Sequence, residues 1–213
     1  GVYTIYGVPS GTYYLNTENQ GQSNYVNEWW ASGGSSFECG GAGSITISDS
    51  SVSGKDFQLD TGYSISGSLY KADGVTLITD TEIGIDVMQG DPCGDRTGVA
   101  WSSTSTGSYT IHGLPPGTYY LQTSENSQLN YVKEWWASGG SSFECGGAES
   151  VIITNDSVSG KDFQLDTGYS ISGTIYKEDG IIPVTDATID IVVTQGDPCG
   201  NRTDVAWSST SDG

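Results

Sequence analysis

Four cysteines, at Cys39, Cys93, Cys145 and Cys199, are the most reactive side chains in this sequence of 213 residues. No two of them form a Cys-x-x-Cys motif, and the single histidine, His112, has no histidine neighbour, so the pattern does not predict a zinc site. An even number of widely spaced cysteines is typical of disulfides in an exported protein. We therefore expect all four to form disulfides.

Aspartates are the second group with possible chemistry, because the chain has 26 acidic and 7 basic residues. Asp60 and Asp166 precede Thr-Gly, whereas Asp91 and Asp197 each begin an Asp-Pro-Cys-Gly loop. Calcium sites are built from carboxylate oxygens on several loops. We predict one calcium site at Asp60 and Asp91 and another at Asp166 and Asp197. The alternative is that these aspartates only stabilise turns.

Two Glu-Trp-Trp sequences are the third group, with Trp29 and Trp30 in the first and Trp135 and Trp136 in the second. Exposed pairs of aromatic rings stack on sugars, so one hypothesis is a carbohydrate-binding module. The other is that one indole caps the end of a thin core and the other packs against a neighbouring domain. We favour packing because a small core needs large covering side chains.

The cysteines, aspartates and tryptophans described above belong to a sequence repeat of 106 residues. Residues 1–107 align with residues 107–213 without a gap, and 75 of the 107 aligned positions are identical. Solenoid repeats have periods of roughly 20 to 50 residues, whereas this period has the length of a whole domain. We predict a complete unit at 61–166, preceded by the end of an upstream unit at 1–60 and followed by the beginning of a downstream unit at 167–213.

Differences between the copies indicate the buried face of a strand. Ile83, Ile85 and Val87 are again Ile, Ile and Val in the next copy, whereas the residues between them change. This period of two indicates a half-buried strand. Short runs of the same kind predict an all-β sandwich of seven antiparallel strands: 63–70, 83–87, 99–103, 108–112, 118–122, 150–153 and 162–165.

Several segments resemble a known family. They are Ser-Ile-Ser-Gly-Ser-Leu-Tyr-Lys at 64–71, Gly-Ser-Tyr-Thr-Ile-His-Gly-Leu-Pro-Pro-Gly-Thr-Tyr-Tyr-Leu at 107–121 and Asp-Phe-Gln-Leu at 162–165. This pattern resembles the carboxypeptidase regulatory-like domains, which belong with the collagen-adhesin B-type repeats among the transthyretin-like β-sandwiches. The resemblance implies tandem, seven-stranded, Greek-key or Ig-like sandwiches outside the cell, and it does not imply an enzyme. An insert at 124–148 and a cysteine loop at 90–96 are not part of the pattern.

Two disulfide arrangements are compatible with this unit. The cysteines pair either within the unit, as Cys93 with Cys145, or across the junctions, as Cys39 with Cys93 and Cys145 with Cys199. If the seven strands alternate in direction, Cys93 and Cys145 lie at opposite ends of strands about 20 Å long. Bridged Cα atoms must lie within about 7 Å. We therefore predict the pairs across the junctions, with the internal pair as the alternative.

The sequence predicts a structural repeat of an extracellular or cell-surface fibre, stalk or filament, stiffened at its junctions by disulfides and calcium. Neighbouring repeats are the expected partners, in the same chain or by strand exchange between 167–213 of one copy and 1–60 of another. A formal net charge of −19 disfavours nucleic acid. No apolar run is long enough for a membrane span. We expect no enzyme, because His112 is Tyr6 in the other copy. The alternative function is a carbohydrate-binding or adhesive module that uses the Trp-Trp loops to hold a glycan.

Overall fold

The computed structural model describes residues 1–19, 21–124 and 130–210, and within these ranges the chain is all-β without an α-helix. Residues 125–129 of the predicted insert lie outside the described residues. Two 3₁₀ turns, Cys39–Gly41 and Cys145–Gly147, are the only helical segments in these ranges. None of the described segments is a helix with the length and apolar character to cross a membrane.

The strands fall into three groups along the chain. We keep the predicted ranges as labels and call 1–60 the upstream partial unit, 61–166 the complete unit and 167–213 the downstream partial unit. The upstream partial unit contains β1 Gly11–Tyr13, β2 Trp29–Ala31, β3 Gly34–Ser36 and β4 Ile45–Ile47. The complete unit contains β5 Tyr63–Lys71, β6 Ile83–Gly90, β7 Arg96–Thr104, β8 Ser108–Leu114, β9 Gly117–Thr123, β10 Trp135–Ala137, β11 Gly140–Ser142, β12 Val151–Ile153 and β13 Phe163–Leu165. The downstream partial unit contains β14 Asp190–Gly196 and β15 Arg202–Ser209.

All seven strands predicted for the complete unit are confirmed as elements, as β5 to β9, β12 and β13. The insert adds β10 and β11, which the sequence analysis did not predict. These two strands are three residues each and consist of Trp-Trp-Ala and Gly-Ser-Ser. Neither sequence alternates apolar and polar residues, so alternation gave no signal for them.

The complete unit is a β-sandwich with its core between two sheets. One sheet has the strand order β11-β10-β9-β6-β7, with β12 also paired to β9, and the other has the order β13-β5-β8. The predicted buried face of β6 is confirmed, since Ile83, Ile85 and Val87 are 3%, 0% and 0% exposed. They pack against residues of the other sheet such as Ile65 and Phe163 in one hydrophobic cluster.

One pair of strands differs from the predicted antiparallel arrangement. β13 runs parallel to β5, with Phe163 opposite Leu69 and Leu165 opposite Lys71. Because the chain enters the unit at the start of β5 and leaves it at the end of β13, entry and exit lie at opposite ends of the sandwich. Successive units can therefore follow one another in a line.

The disulfide prediction across the junctions is wrong. Cys93 is bonded to Cys145, with their Cα atoms 5.2 Å apart, whereas Cys39 and Cys199 are unpaired and exposed. In the register of the repeat, Cys39 corresponds to Cys145 and Cys199 corresponds to Cys93. Neither partial unit therefore contains both members of the pair.

The prediction failed because it assumed that the cysteine loop at 90–96 and the insert at 124–148 lie at opposite ends of the strands. Trp135 pairs with Gln122 of β9 and is only 2% exposed. The β6–β7 hairpin has a bulge after Val87, and bulges bend the strands that contain them. At its tip, the Arg96 guanidinium lies 5.5 Å from the centre of the Trp135 ring. The hairpin tip thus reaches the insert, and the disulfide joins the two there.

Replacing both Cys93 and Cys145 with serine should lower the free energy of unfolding of the complete unit by about 2 to 4 kcal/mol, because the bond closes a 52-residue loop. Urea unfolding followed by tryptophan fluorescence measures this. The control is Cys39→Ser, which removes a thiol outside the complete unit and should leave its unfolding midpoint unchanged. Equal midpoints for the double variant and the wild type would contradict the internal pairing.

Candidate functional site at the junction between units

The segment that joins the upstream unit to the complete unit, residues 60–62, is held by backbone pairing. The N–H of Val26 donates to the carbonyl oxygen of Asp60 at 2.9 Å, and the N–H of Gly62 donates to that of Asn24 at 2.6 Å. The linker therefore forms a short antiparallel ladder with the upstream insert. It is a fixed part of the fold and not a free tether.

The second junction repeats this arrangement. The N–H of Val132 donates to the carbonyl oxygen of Asp166 at 2.9 Å, and the N–H of Gly168 donates to that of Asn130 at 2.5 Å. The donors and acceptors are the same residue types, 106 positions later. The pairing of insert and linker is thus a property of the repeat.

A buried glutamate accepts a hydrogen bond from the backbone of each linker. Glu28 and Glu134 are 2% and 3% exposed. One carboxylate oxygen, Oε1, accepts the backbone N–H of Asp60 at 3.2 Å in the first case and of Asp166 at 3.4 Å in the second. The other oxygen, Oε2, is buried in both residues without a hydrogen-bond partner in the described structure.

Burial raises the pKa of Glu134 to about 7, and the nearby negative charge of Asp166 raises it further. The hydrogen bonds from the backbone of Asp166 and the side chain of Ser141 oppose this rise. An unpartnered carboxylate oxygen in a buried position is costly when ionised. Glu134 therefore holds a proton at a pH where exposed glutamates have lost theirs.

The upstream insert also contacts the complete unit itself. The N–H of His112, in β8, donates to the carbonyl oxygen of Gly21 at 3.0 Å. A Cβ atom on the buried Gly21 would lie 2.7 Å from the carbonyl oxygen of Trp101, which is in β7. We call the contacts of residues 19 and 21–26 with residues 60–62, 100–101 and 111–114 the seam.

Gly113 lies directly against the upstream insert. It has φ +73°, and a Cβ atom there would collide with the carbonyl oxygen of Tyr25 and lie 2.9 Å from that of Ser23. The same backbone angle occurs at its counterpart Gly7, which has nothing within 4 Å. Glycine is therefore required at 113 for two reasons, its backbone conformation and the neighbouring unit.

The four tryptophans of the two Glu-Trp-Trp sequences are buried or half-buried. Trp135 and Trp136 are 2% and 5% exposed and Trp30 is 7% exposed, whereas Trp29 is half-buried. The ammonium groups of Lys55 and Lys161 lie 4.1 Å from the ring centres of Trp30 and Trp136, respectively. A sugar stacks on an exposed ring face, so these contacts favour the packing hypothesis over the glycan hypothesis.

The four aspartates of the calcium prediction are all exposed. Oδ1 of Asp91 accepts the N–H of Cys93 at 2.9 Å, and Oδ1 of Asp197 accepts that of Cys199 at 2.9 Å, as expected of residues that stabilise turns. Asp60 and Asp166 contribute backbone groups to the linker ladder. No three acidic, histidine or cysteine residues lie together as a metal site in the part of the chain that the structure describes. The calcium sites stay a prediction.

Comparison of the chain with protein-family models, curated proteins and solved structures finds no match. The resemblance of the sequence motifs to the carboxypeptidase regulatory-like domains is therefore untested, and function has to be argued from the geometry of the seam.

Sequence reasoning missed the insert as the element that forms the junction. The signal was present, because Asn-Tyr-Val at 24–26 recurs at 130–132 while the residues just before it differ between the copies. It also missed Glu28 and Glu134, because only the two tryptophans of each Glu-Trp-Trp sequence were considered as functional residues. A glutamate that recurs directly before a pair of tryptophans is a candidate for burial.

The replacement Glu134→Gln should make the protein more stable than the wild type above pH 7. The folded pKa of about 7 exceeds the ordinary value of 4.5, so between these values the unfolded chain binds fewer protons than the folded one. The free energy of unfolding therefore decreases as pH rises through this window, and glutamine removes the decrease. Thermal unfolding of both proteins from pH 4 to pH 9 measures the difference.

The control is Glu144→Gln, which removes one carboxylate from an exposed position of the same insert. It should keep the pH profile of the wild type. If both variants changed the profile equally, the effect would come from net charge and not from burial.

Proposed function

We propose that the chain is a segment of a structural array of tandem, seven-stranded Greek-key sandwiches, and that the array forms a fibre, stalk or filament outside the cell or on its surface. The observation that carries this proposal is the seam. A three-residue linker paired along its length with the preceding unit leaves little freedom for one unit to swivel against the next.

The insert restricts both bending and twisting, because it contacts two different parts of the following unit. It pairs with the linker through Asn24 and Val26, and with strand β8 through the hydrogen bond between His112 and Gly21. A hinge at residues 60–62 would have to break these bonds together, and each contributes about 1 kcal/mol. The ladder, although not the bond to β8, is also seen at the next junction, at residues 166–168.

The disulfide has a different part in this proposal from the one predicted from the sequence. It joins two loops of the same sandwich, so it stabilises each unit and not the junction. A disulfide is typical of an oxidising compartment, which supports a location outside the cytoplasm. In this proposal, the stiffness of the array comes from backbone pairing and packing at the seam.

The carbohydrate-binding alternative needs an exposed aromatic platform. Three of the four indoles in the Glu-Trp-Trp sequences are less than 10% exposed, and two of these carry a lysine ammonium over the ring. A glycan would have to displace the lysine to reach the ring. Burial of the Trp-Trp pairs therefore supports the structural function.

Electron microscopy of native material tests the function as a whole. A fibre with one lobe per 106-residue repeat and a constant angle between lobes is the expected result. Isolated compact particles whose tryptophan fluorescence changes on titration with a panel of glycans would instead support the carbohydrate-binding alternative. Lobes that swivel independently would exclude a stiff array.

The replacement Gly113→Ala should loosen the seam. Alanine at this position adds both the cost of a positive φ and a collision with the upstream insert. We expect hydrogen exchange at the amides of His112 and Gly62 to become at least tenfold faster, because both donate bonds across the seam.

The matched control is Gly160→Ala. Gly160 has φ +71° in the same unit, but nothing lies within 4 Å of a Cβ atom there. This variant should lose about 1 kcal/mol of stability for the backbone angle alone, with exchange at His112 and Gly62 unchanged. Equal exchange rates in the two variants would show that the contact with the upstream insert does not hold the units together.

A further inference from the structure

Tension on a unit enters and leaves it outside the loop that the disulfide closes. In an array, neighbouring units hold the complete unit before Tyr63 and after Leu165, at the start of β5 and the end of β13. Cys93 lies between β6 and β7, and Cys145 begins the 3₁₀ turn that precedes β12. The segment 93–145 is therefore connected to the neighbouring units only through strands that lie outside it.

The disulfide divides the strands of the unit into two groups. Strands β5, β6, β12 and β13 lie outside the segment 93–145 and form the outer group, whereas β7 to β11 lie inside it and form the inner group. The two groups are interleaved in the sandwich, since β5 pairs with β8, and β6 pairs with β7 and β9. Tension can draw out the outer group, but the inner group cannot be extended while the covalent bond is intact.

In the intact sandwich the disulfide is not on the direct path of the load. Strands β5 and β13 are neighbours in one sheet and pair from Leu69 and Phe163 to Lys71 and Leu165. The first strand of the unit is therefore bonded directly to the last. While these two strands stay paired, the sulfur atoms of the disulfide carry little of the load.

Once β5 and β13 have separated, the disulfide becomes part of the load path. Tension then runs through β6 to Cys93, across the two sulfur atoms, and from Cys145 into β12. The residues between the two cysteines form a loop beside this path and carry no load. The sequence separation of the cysteines, 52 residues, is about half of the 106-residue repeat, so extension of the unit stops about half-way.

The disulfide is accessible to a thiol from solution, since Cys93 is exposed and Cys145 is half-buried. A thiolate that attacks one sulfur atom forms a mixed disulfide with that cysteine and releases the other cysteine as a thiolate, which takes up a proton. A second thiolate then frees the first cysteine and leaves as a small-molecule disulfide. Because the S–S bond lengthens in the transition state of the attack, tension along this bond lowers the barrier.

We propose that the Cys93–Cys145 bond makes each unit an element that extends in two stages. In the first stage, tension draws out the outer group of strands, and the bond stops the extension. In the second stage, a low-molecular-weight thiol cleaves the loaded bond, and the inner group is drawn out. This inference rests on the proposed array, because neighbouring units are what apply tension to both ends of a unit.

Force-clamp spectroscopy of the full chain, held by handles at residues 1 and 213, tests the proposal. The chain carries Cys39→Ser and Cys199→Ser, because these unpaired thiols would exchange with the bond under study. Without added thiol, we expect extension to stop with the bond intact. With dithiothreitol, we expect one further step of about 180 Å, since each of the 52 residues spans at most about 3.5 Å. The rate of this step should rise with both the thiol concentration and the applied force.

The matched control is the same chain with Cys93→Ser and Cys145→Ser in addition. Without thiol, its final length should exceed that of the disulfide-bonded chain by about 180 Å, and dithiothreitol should add no further step. The lower stability of this variant changes when its complete unit unfolds and not how far the chain extends. Both partial units contribute equally to the two chains, so the difference in length reports the bond alone.

Two results would overturn the proposal. Equal final lengths of the two chains without thiol would show that the bond does not limit extension, and a thiol-dependent step whose rate ignores the applied force would show that the bond is not loaded. Electron microscopy of native material tests the array separately. A stiff fibre whose units fail to extend in two stages would refute only this inference, whereas isolated particles would refute the array and leave the behaviour of the stretched chain unchanged.

Discussion

Strand β5 is the element on which the architecture of the complete unit depends. It lies between β13 and β8, so it joins the last strand of the unit to the middle of the chain, and Ile65 and Leu69 on its inner face are fully buried. In residues 1–60 the counterparts of β8 and β13, which pair with β5 in the complete unit, are not strands. In the downstream partial unit, β14 and β15 still form a hairpin, because these two strands pair with each other.

The insert of the complete unit makes two kinds of contact. Asn130 and Val132 bond to the linker at 166–168, and the rest of the insert supplies β10 and β11, the buried tryptophan pair and the cysteine that closes the disulfide. The covalent bond and the Trp135 contact fix the insert to its own sandwich. The backbone ladder can then transmit that position to the next unit. Stability inside a unit and orientation between units are therefore coupled through one segment.

Much of the sandwich was predictable because the chain contains two copies of the repeat, which can be compared with each other. The invariance of Ile83, Ile85 and Val87 against changing neighbours identified one buried face, and short β-branched or aromatic runs predicted the other six main strands. The disulfide was not predictable from strand directions, because its position depends on a bent hairpin and on the need to cover Trp135. Strand formation at the chain ends was not predictable from local sequence at all. Tyr-Ser-Ile-Ser-Gly is a strand at 63–67 and is not one at 169–173, since only the first copy has neighbours.

The parallel pairing of β5 with β13 determines how a unit responds to tension. When an array is pulled, the force enters at the start of β5 and leaves at the end of β13, so two adjacent strands are drawn in opposite directions along their length. The hydrogen bonds between them are then loaded together in shear, whereas the bonds of a hairpin pulled from its open end rupture one after another like a zipper. A chain extended in this way resists rupture at the strand pair that closes each sandwich.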